Sequence, residues 1–266
     1  MKISIITATW NSEAGIADAQ RSLAEQDFPR DQIEWVVVDG ASTDQTVERI
    51  RSGAFQPDTL ISEPDNGIYD ALNKGVRMAT GDVVGFLHAD DFLAGPGVLS
   101  RVSCALENSG AEAVYGDLDY VRERGDGEFT VVRHWKSGIY YRRKLKWGWM
   151  PPHPTLYVKR DVYERVQMPN GDYFDTSYTC AADYDFMLRL LSGLDVEPAY
   201  LPAVLVKMRI GGISNRSLKH IVQKSREDWA VIRRNHVGHL HTLAWKNLGK
   251  LSQFSKRAAS TRESKK

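Results

Sequence analysis

The chain has 266 residues, of which 42% are apolar and 26% charged, and its formal net charge is only +1. This length and composition exclude a largely disordered chain and allow a substantial buried core. No apolar run approaches the roughly 20 residues of a membrane span, and the N-terminus lacks a signal-peptide cleavage pattern, so we expect a cytoplasmic protein.

The first 95 residues alternate strand-like and helix-like segments, which is typical of βαβ units around a mainly parallel sheet. Strands are predicted at 2–9, 33–38, 59–62 and 82–87. Helices are predicted at about 11–26, 45–52 and 68–79, the first of them capped by Asn11 or Ser12. The expected fold class is therefore α/β.

Beyond residue 95 the periodicity is weaker. A helix near 97–108 and a strand at 113–115 are followed by a segment rich in glycine, charge and aromatic residues. Further strands are predicted at 156–159 and 200–209. Between them, a helix is predicted at 161–167 and an amphipathic helix at 183–193. Apolar residues at helical spacing predict two C-terminal helices, at 217–236 and 239–254.

The two cysteines, Cys104 and Cys180, stand far apart in the sequence and neither belongs to a Cys-x-x-Cys pair. A disulfide framework or a zinc site is therefore not expected. We predict that both are buried free thiols.

Two adjacent carboxylates, Asp90 and Asp91, follow the fourth predicted strand. Adjacent acids repel each other, and partial burial of a carboxylate costs several kcal/mol unless a partner is present. A hard cation that also holds substrate phosphate would supply that partner at the end of a buried strand. A capping Asp followed by a surface acid is the simpler alternative.

The second predicted strand ends in Asp39, followed by Gly-Ala-Ser-Thr-Asp at the start of a helix. A carboxylate in this place can accept hydrogen bonds from a base or a ribose. An ordinary Asp-Gly turn with a Ser or Thr cap would give the same pattern. Neither a G-x-G-x-x-G nor a P-loop sequence follows the first strand, which weakens dehydrogenase and P-loop hypotheses.

Four motifs in a fixed order resemble the family 2 glycosyltransferases of bacterial surface-polysaccharide assembly. They are Thr-Trp-Asn after the first strand, Asp-Gly-Ala-Ser-Thr-Asp after the second, Glu-Pro-Asp-Asn-Gly-Ile-Tyr-Asp-Ala-Leu-Asn-Lys-Gly, and Phe-Leu-His-Ala-Asp-Asp. The resemblance implies a GT-A fold over 1–215, with a nucleotide-sugar-binding half at 1–95 and an acceptor-binding half at 96–215. A helical extension at 216–255 and a disordered basic tail at 256–266 would follow.

The resemblance also implies roles for individual residues. Asp39 would read the base, and Asp91 would hold a divalent cation, Mn²⁺ or Mg²⁺. The implied nucleotide-binding residues are Thr7, Ala8, Thr9, Asp39, Asn66, Gly67, Asn73 and Asp90. One departure is His88, which stands where the family's Asp-x-Asp-Asp motif often has its first Asp. Either Asp91 holds the cation with the diphosphate, which we favour, or His88 adds a nitrogen ligand.

A catalytic base is implied at Asp183, since Cys-Ala-Ala-Asp-Tyr-Asp resembles the family's Glu-Asp-x-Asp helix start, with Ala182 replacing the Glu. Its place in the first turn of a helix would favour the carboxylate form that a base requires. Asp185 would support the helix or bind acceptor. Simple N-capping by Asp183 is the alternative.

Three further residues are candidate acceptor or diphosphate ligands. His153 lies in Pro-Pro-His-Pro-Thr, and a structural role in a rigid loop is an equal alternative. Arg209 and Arg216 flank a Gly-Gly pair that resembles the closing loop of the family, although an ordinary turn would also explain the glycines.

Two segments are unusual in charge. Residues 129–160 contain no Asp or Glu, eight Lys or Arg and several aromatic residues, which would suit sugar rings or a lipid-diphosphate headgroup, or a buried aromatic cluster. Residues 246–266 carry seven Lys or Arg against one acid. This basic helix and tail would suit peripheral contact with an anionic membrane, or a docked helix with a disordered end.

The sequence thus predicts an inverting, metal-dependent hexosyltransferase with a nucleotide-sugar donor, expected to be UDP-linked, and a saccharide or lipid-linked saccharide acceptor. A sugar nucleotidyltransferase is the related alternative, but it should carry a glycine-rich basic loop after its first strand. A non-catalytic carbohydrate- or nucleic-acid-binding protein is the alternative from another class. It would leave the carboxylates unexplained, and we expect no nucleic-acid partner.

Overall fold

The computed structural model describes residues 1–125, 127–210 and 218–255, and the side chains of 1–125, 127–210 and 221–248. The strands are β1 Ile3–Thr9, β2 Ile33–Asp39, β3 Thr59–Ser62, β4 Val83–Phe86, β5 Phe92–Leu93, β6 Ala113–Glu123, β7 Phe129–Trp135, β8 Tyr157–Lys159 and β9 Ala199–Arg209. The helices are α1 Ile16–Ala24, α2 Thr46–Ser52, α3 Ile68–Met78, α4 Val98–Ser109, α5 Arg160–Val166, α6 Ala182–Leu188, α7 Leu218–Arg234 and α8 Leu240–Ser255.

The first four strands form a parallel sheet in the order β3-β2-β1-β4. Successive apolar residues of β1 and β2 enter two different cores, because strand side chains alternate between the faces of a sheet. Ile3 and Ile5 pack with α1, α2 and α4 on one face, whereas Ile6 and Ala8 pack with α3 on the other. This confirms the predicted α/β class with helices on both faces.

The second half continues the same sheet with mixed strand directions. β8 pairs antiparallel with both β4 and β6, and β9 runs parallel to β6. Because β8 runs against β4, the loop that leads into β8 lies at the carboxyl end of β4. Similarly, the short strand β5 pairs antiparallel with β9 and brings the end of β9 beside Asp91. These two pairings place the loop before β8 and the end of β9 beside the end of β4 and Asp91, which the sequence had singled out.

Several predicted boundaries were wrong. Helix α1 starts at Ile16 instead of near residue 11, because the amides of Asn11 and Ser12 donate to the hydroxyls of Ser42 and Thr46 and neither side chain caps the helix. Strand β6 is far longer than 113–115 and forms a hairpin with β7, which was not predicted. The predicted helix 183–193 divides into α6 and the π-helical turn Arg189–Gly193.

The cysteines differ from the prediction in one respect. Both are free thiols, as expected, but Cys104 is exposed and Cys180 is partly exposed. Cys104 lies on α4, whose buried face is formed by its apolar residues and Ser103. The predicted burial of both thiols is therefore wrong.

None of the helices in the described part of the chain combines the length and the apolar character that crossing a bilayer requires.

Candidate functional site

Asp39 lies at the carboxyl end of β2, fully buried among hydroxyl groups. Its carboxylate accepts hydrogen bonds from the amide of Ser42 at 3.0 Å, from the hydroxyl of Ser42 and from the hydroxyl of Ser62 at 2.6 Å. A carboxylate has about four lone-pair sites, so these three bonds leave one site on Oδ1. That oxygen can accept one hydrogen from a ligand.

The loops that follow β1 and β2 are tied together at this edge of the sheet. The side-chain oxygen of Asn11 accepts the amide of Thr43 at 2.9 Å, and the amide of Asn11 donates to the hydroxyl of Ser42 at 2.7 Å. Asn11 and Ala41 both have positive φ, 46° and 58°. Such strained backbone persists only where its surroundings impose it, and it clusters at ligand sites.

The predicted nucleotide-binding residues of β1 are buried within the sheet. The hydroxyl of Thr7 donates to the carbonyl of Leu87 at 2.7 Å and accepts from the indole of Trp35 at 2.9 Å. Ala8 and Thr9 are also buried. The hydroxyl of Thr9 has no hydrogen-bond partner among the described residues, and the next residue, Trp10, is 57% exposed.

The turn after β3 approaches the Asp39 loop. Asp65 accepts the amide of Gly67 at 2.8 Å, and a methyl group on Gly40 would meet the Asp65 carboxylate at 2.7 Å. Gly67 has φ +108°, a conformation that a side chain would disfavour. Asn66 and Gly67 are both exposed, so the turn is open to a ligand.

Asn73 lies on α3 and is fully buried, which separates it from the open site. Its amide oxygen accepts the backbone amides of Tyr173 and Phe174, and its amide nitrogen donates to the Phe174 carbonyl at 2.8 Å. Phe174 in turn packs edge-on against His153. Asn73 can therefore shape the site only through the segment that it holds.

Asp91 is a buried carboxylate without a cationic side chain bonded to it in the described part of the chain. It is 3% exposed and accepts the backbone amide of Arg209 at 3.2 Å, which follows from the pairing of β5 with β9. Burial raises the pKa of Asp91 to about 8, with a smaller contribution from Asp90 and an opposing one from the Arg209 amide. The ionised form therefore needs a positive partner.

The neighbouring Asp90 is exposed and lies against the start of α1. A methyl group on Gly15 would meet the Asp90 carboxylate at 2.7 Å and the Ala89 carbonyl at 2.9 Å. Only a glycine permits this approach. Burial raises the pKa of Asp90, although the residue stays open to solvent.

Two imidazoles, His88 and His153, lie side by side between the end of β4 and α6. Their ring centres are 6.2 Å apart, and the His153 ring stacks on Phe86 at 4.7 Å. Burial lowers the pKa of both, that of His88 to about 4, so both rings are neutral near pH 7. Among the described residues, Nδ1 of His88 and Nε2 of His153 are buried without hydrogen-bond partners. Oγ1 of Thr9 and Nε of Arg209 are likewise buried without partners among the described residues, and a ligand could satisfy such atoms.

Asp183 lies in the first turn of α6. The hydroxyl of Tyr69 on α3 donates to Oδ1 of Asp183 at 3.2 Å. Burial alone would raise the pKa of Asp183, but the charges of His153, Lys224 and Lys246 outweigh burial and lower it. Since His153 is itself neutral near pH 7, the two lysines supply the positive charge. Asp183 is therefore ionised near pH 7, and it is half-buried; an ionised carboxylate can accept a proton.

These two lysines come from the C-terminal helices. Lys224 on α7 approaches the carbonyl of Cys180 at 3.5 Å. Lys246 on α8 is buried, bonds to Asp228 and lies 3.4 Å from the centre of the Tyr184 ring. The helices α7 and α8 thus form one wall of the region around Asp183.

Asp185, two residues further along α6, points away from the open site. It is fully buried and binds the guanidinium of Arg189 at 2.8 Å and the amide of Asn235 at 2.9 Å. Asp185 therefore supports the helix, one of the two roles considered from the sequence.

Of the two candidate arginines, the structure describes Arg209 but not Arg216. The Arg209 guanidinium pairs with Asp18 and with Glu123, the latter at 2.9 Å, and lies over the Phe129 ring at 4.8 Å. To meet a diphosphate it would have to leave these carboxylates. Arg216 and the Gly-Gly pair lie outside the described residues, as does the basic tail from residue 256.

The residues at this site fit a cation that is completed by a substrate. Among the described side chains, no three His, Cys, Asp or Glu residues form a cluster that would hold a metal ion unaided. Mg²⁺ and Mn²⁺ are commonly held by one or two carboxylates together with substrate phosphates. The buried, uncompensated carboxylate of Asp91 matches that donor set, since a cation would offset its desolvation.

Sequence reasoning missed Tyr69, Trp10 and the two lysines. Tyr69 belongs to the motif that contains Asn66, Gly67 and Asn73, and its place one turn before Asn73 was a usable signal. Trp10 directly follows the first predicted strand, where an aromatic ring lies at a ligand edge. Nothing near Lys224 or Lys246 in the sequence indicates their approach to Asp183.

Comparison with known proteins gives a consistent result. The family model described as Glycosyl transferase family 2 matches residues 4–166. A PGL/p-HBAD biosynthesis glycosyltransferase of Mycobacterium bovis BCG is 31% identical over 224 residues, which are 80% of this chain and 78% of that protein. The matched region contains Asp39, Asp91 and His153, and it ends before Asp183 in the family model.

Two solved structures resemble the fold. The TarS fragment 1–349 of S. aureus in complex with UDP-GlcNAc has a TM-score of 0.64 and 22% identity over 89% of this chain, which spans 66% of that fragment. A mannosyltransferase from Pyrobaculum calidifontis, in complex with GDP-Man and Mn²⁺, has a TM-score of 0.62 and 21% identity, covering 100% of this chain and 76% of that one. These likenesses confirm the GT-A-like fold.

Proposed function

The chain belongs to glycosyl transferase family 2 and is a glycosyltransferase, and from this premise we propose that it transfers a hexose from a UDP-sugar with inversion, with the help of a divalent cation. The observation that carries the proposal is a difference between two carboxylates. Asp91 requires a cation to be ionised, whereas Asp183 is ionised without one. A leaving diphosphate requires a cation, and an attacking hydroxyl requires an ionised base.

In the proposed reaction, Asp183 accepts the proton of an acceptor hydroxyl. The acceptor oxygen bonds to the anomeric carbon while the bond from that carbon to the diphosphate oxygen breaks, and the proton remains on Asp183. Tyr69 fixes the orientation of the carboxylate through its hydrogen bond. The neutral rings of His88 and His153 offer their unpaired nitrogens to the sugar or the diphosphate.

The donor side is assigned to the other half of the sheet. The free lone pair of Asp39 accepts an N–H of the base, and Trp10 provides a ring on which the base stacks. The Asn66–Gly67 turn and Asp90 contact the nucleotide from either side. Asp91 would hold the cation, which would supply stabilisation of negative charge on the leaving diphosphate.

The proposed organisation is a catalytic domain at 1–215, with donor and acceptor halves at 1–95 and 96–215, and a helical extension at 216–255. The acceptor is a saccharide or a lipid-linked saccharide in polysaccharide or glycolipid assembly, by analogy with the relatives named above. The enzyme would act in the cytoplasm, with peripheral membrane contact through the C-terminal basic helix.

The direct test is a thermal-shift screen of UDP, GDP and their sugars with Mn²⁺ or with EDTA. We expect UDP to raise the melting temperature with Mn²⁺ and to lose most of that effect in EDTA. NMR of the product should give the anomeric configuration opposite to that of the donor. Equal stabilisation in EDTA, or retention of configuration, would contradict the metal-dependent inverting mechanism.

Tyr69→Phe is expected to lower the turnover number about tenfold, because a hydrogen bond to a charged group contributes about 1.5 kcal/mol or more. Loss of this donor should also raise the pKa of Asp183, which moves the acid limb of the pH profile to higher pH. The ring would still stack on Phe174. Turnover and its pH dependence are the measurements.

The matched control is Tyr163→Phe on α5. The hydroxyl of Tyr163 is buried without a hydrogen-bond partner among the described residues, so its removal should leave turnover unchanged. If both variants lost activity equally, a general effect on packing would explain the result, and the role given to Tyr69 would be wrong.

A further inference from the structure

Helix α8 exposes three large apolar side chains and buries two polar ones, although its Leu243 packs against the core. Leu240, Trp245 and Leu248 are exposed by 67%, 51% and 52%, whereas Thr242 and Lys246 on the opposite face are buried. A helix that packs on a core ordinarily shows the reverse arrangement. The inversion indicates that a second apolar environment covers the outer face of α8.

A second element extends this exposed surface. The 3-10 segment Arg142–Trp147 packs beside α8, and the hydroxyl of Thr242 donates to the carbonyl of Lys146 at 2.7 Å. Trp147 is 56% exposed and meets the Trp245 ring edge-on at 6.0 Å. We define the Trp147 patch as Trp147, Leu240, His241, Trp245 and Leu248.

The surroundings of the Trp147 patch are basic. The patch joins two stretches of sequence, 129–160 and 229–262, neither of which contains an Asp or a Glu. Arg143 and Lys146 are exposed next to Trp147. Among the described cations of Arg142–Trp147, Arg142 is paired with Asp195 and Lys144 bonds to the Ile139 carbonyl, whereas Arg143 and Lys146 add exposed positive charge.

We propose that the Trp147 patch is a docking surface for an anionic lipid bilayer, with the two indole rings at the headgroup level. Trp is suited to this region because its ring is apolar and its N–H is polar. Exposed lysines and arginines add attraction to acidic headgroups. A second copy of the chain is the less favourable occupant, because it would bring two basic rims together.

The proposal places one element of the membrane contact in 142–147, far from the C-terminus in sequence. It also explains why α8 has a buried Lys246. The inner face of the helix places this charge near Asp183, while the outer face contacts the bilayer. The acceptor side would then face the membrane. The docking itself does not depend on the proposed sugar transfer.

The test is co-sedimentation of the full chain with vesicles of phosphatidylcholine alone or of equimolar phosphatidylcholine and phosphatidylglycerol. Wild type should bind the acidic vesicles, and added salt should weaken that binding. The variant W147S/W245S should reduce binding about tenfold, because two interfacial aromatic rings are lost. Its unchanged melting temperature would show that it is folded.

The matched control is Trp10→Ser, which removes a ring of similar exposure, 57%, from the end of β1. It should bind acidic vesicles like wild type. Absence of vesicle binding by wild type, or equal binding by W147S/W245S, would overturn the proposal. So would a concentration-dependent dimer in analytical ultracentrifugation that W147S/W245S abolishes, since the patch would then cover a second copy. Because no sugar donor is present, these outcomes leave the proposed transfer reaction untouched.

Discussion

Asp183→Asn is expected to lower the turnover number about 10³-fold while the dissociation constant for UDP stays within about threefold, since a general base contributes about 10² to 10⁴ to the rate. The amide has the shape of the carboxylate and can still accept the Tyr69 hydrogen bond, but it cannot take a proton at neutral pH. Steady-state kinetics for turnover and calorimetry for UDP binding give the two readouts.

The same helix provides a matched control for Asp183→Asn. Asp185→Asn removes a fully buried carboxylate that is bonded to Arg189 and Asn235, so it should lower the melting temperature markedly. Breaking such a buried pair costs about 3 to 5 kcal/mol. Turnover per folded molecule should nevertheless remain near that of wild type. If Asp183→Asn kept more than a tenth of the wild-type turnover, another group would be the base.

The pH dependence offers an independent check on Asp183. Its pKa is lowered in the folded protein, so the carboxylate stays ionised down to acidic pH. The rate should therefore be independent of this group above about pH 5 and fall only below it. A rate that rose through neutral pH in wild type would assign the proton acceptor to a group of higher pKa.

The first 95 residues could be predicted well because their signals are local. Strands β1, β2 and β4 are apolar runs that end abruptly in polar residues, and Asp39 and Asp91 mark two of these ends. A parallel sheet necessarily collects such ends at one edge. The order of the motifs then supplied the family, and the match over residues 4–166 confirmed it.

The part of the chain after residue 95 could be predicted only in part, because its contacts join distant segments. Tyr69 and Asp183 are 114 residues apart, and Asn73 on the same helix as Tyr69 bonds to the backbone of Phe174, 101 residues away. The proximity of His153 to His88 follows from the antiparallel pairing of β8 with β4. No local pattern specifies strand direction.

Tertiary contacts also overrode local capping signals. Asn11 and Ser12 have the side chains of helix caps, but the fold uses them to tie the first loop to the second. The helix then begins at Ile16 after Gly15, where the backbone must pass close to Asp90. The close approach of the backbone to Asp90, rather than helix propensity, determines where α1 begins.

Asp91→Asn is expected to abolish the Mn²⁺-dependent part of UDP binding and to lower turnover by about 10³-fold, because a metal supplies several kcal/mol of charge stabilisation at a leaving group. Asp90→Asn is the matched control. It removes the adjacent, exposed carboxylate and should weaken UDP binding only about tenfold, since it would lose one hydrogen bond to the ribose. Thermal shifts with UDP and Mn²⁺ compare the two variants directly.

The metal-free protein should respond in the opposite direction to Asp91→Asn. Asp91 is buried with a raised pKa, so the folded state disfavours its charged form. The resulting loss of folding stability grows as pH rises from about 4 to about 8. A neutral amide of the same shape avoids that cost. The metal-free variant should therefore melt at or above the wild-type temperature near pH 8, although it has lost the gain from UDP and Mn²⁺. A variant that melted well below wild type without metal would show that the carboxylate serves the fold, and the cation site would have to be sought elsewhere.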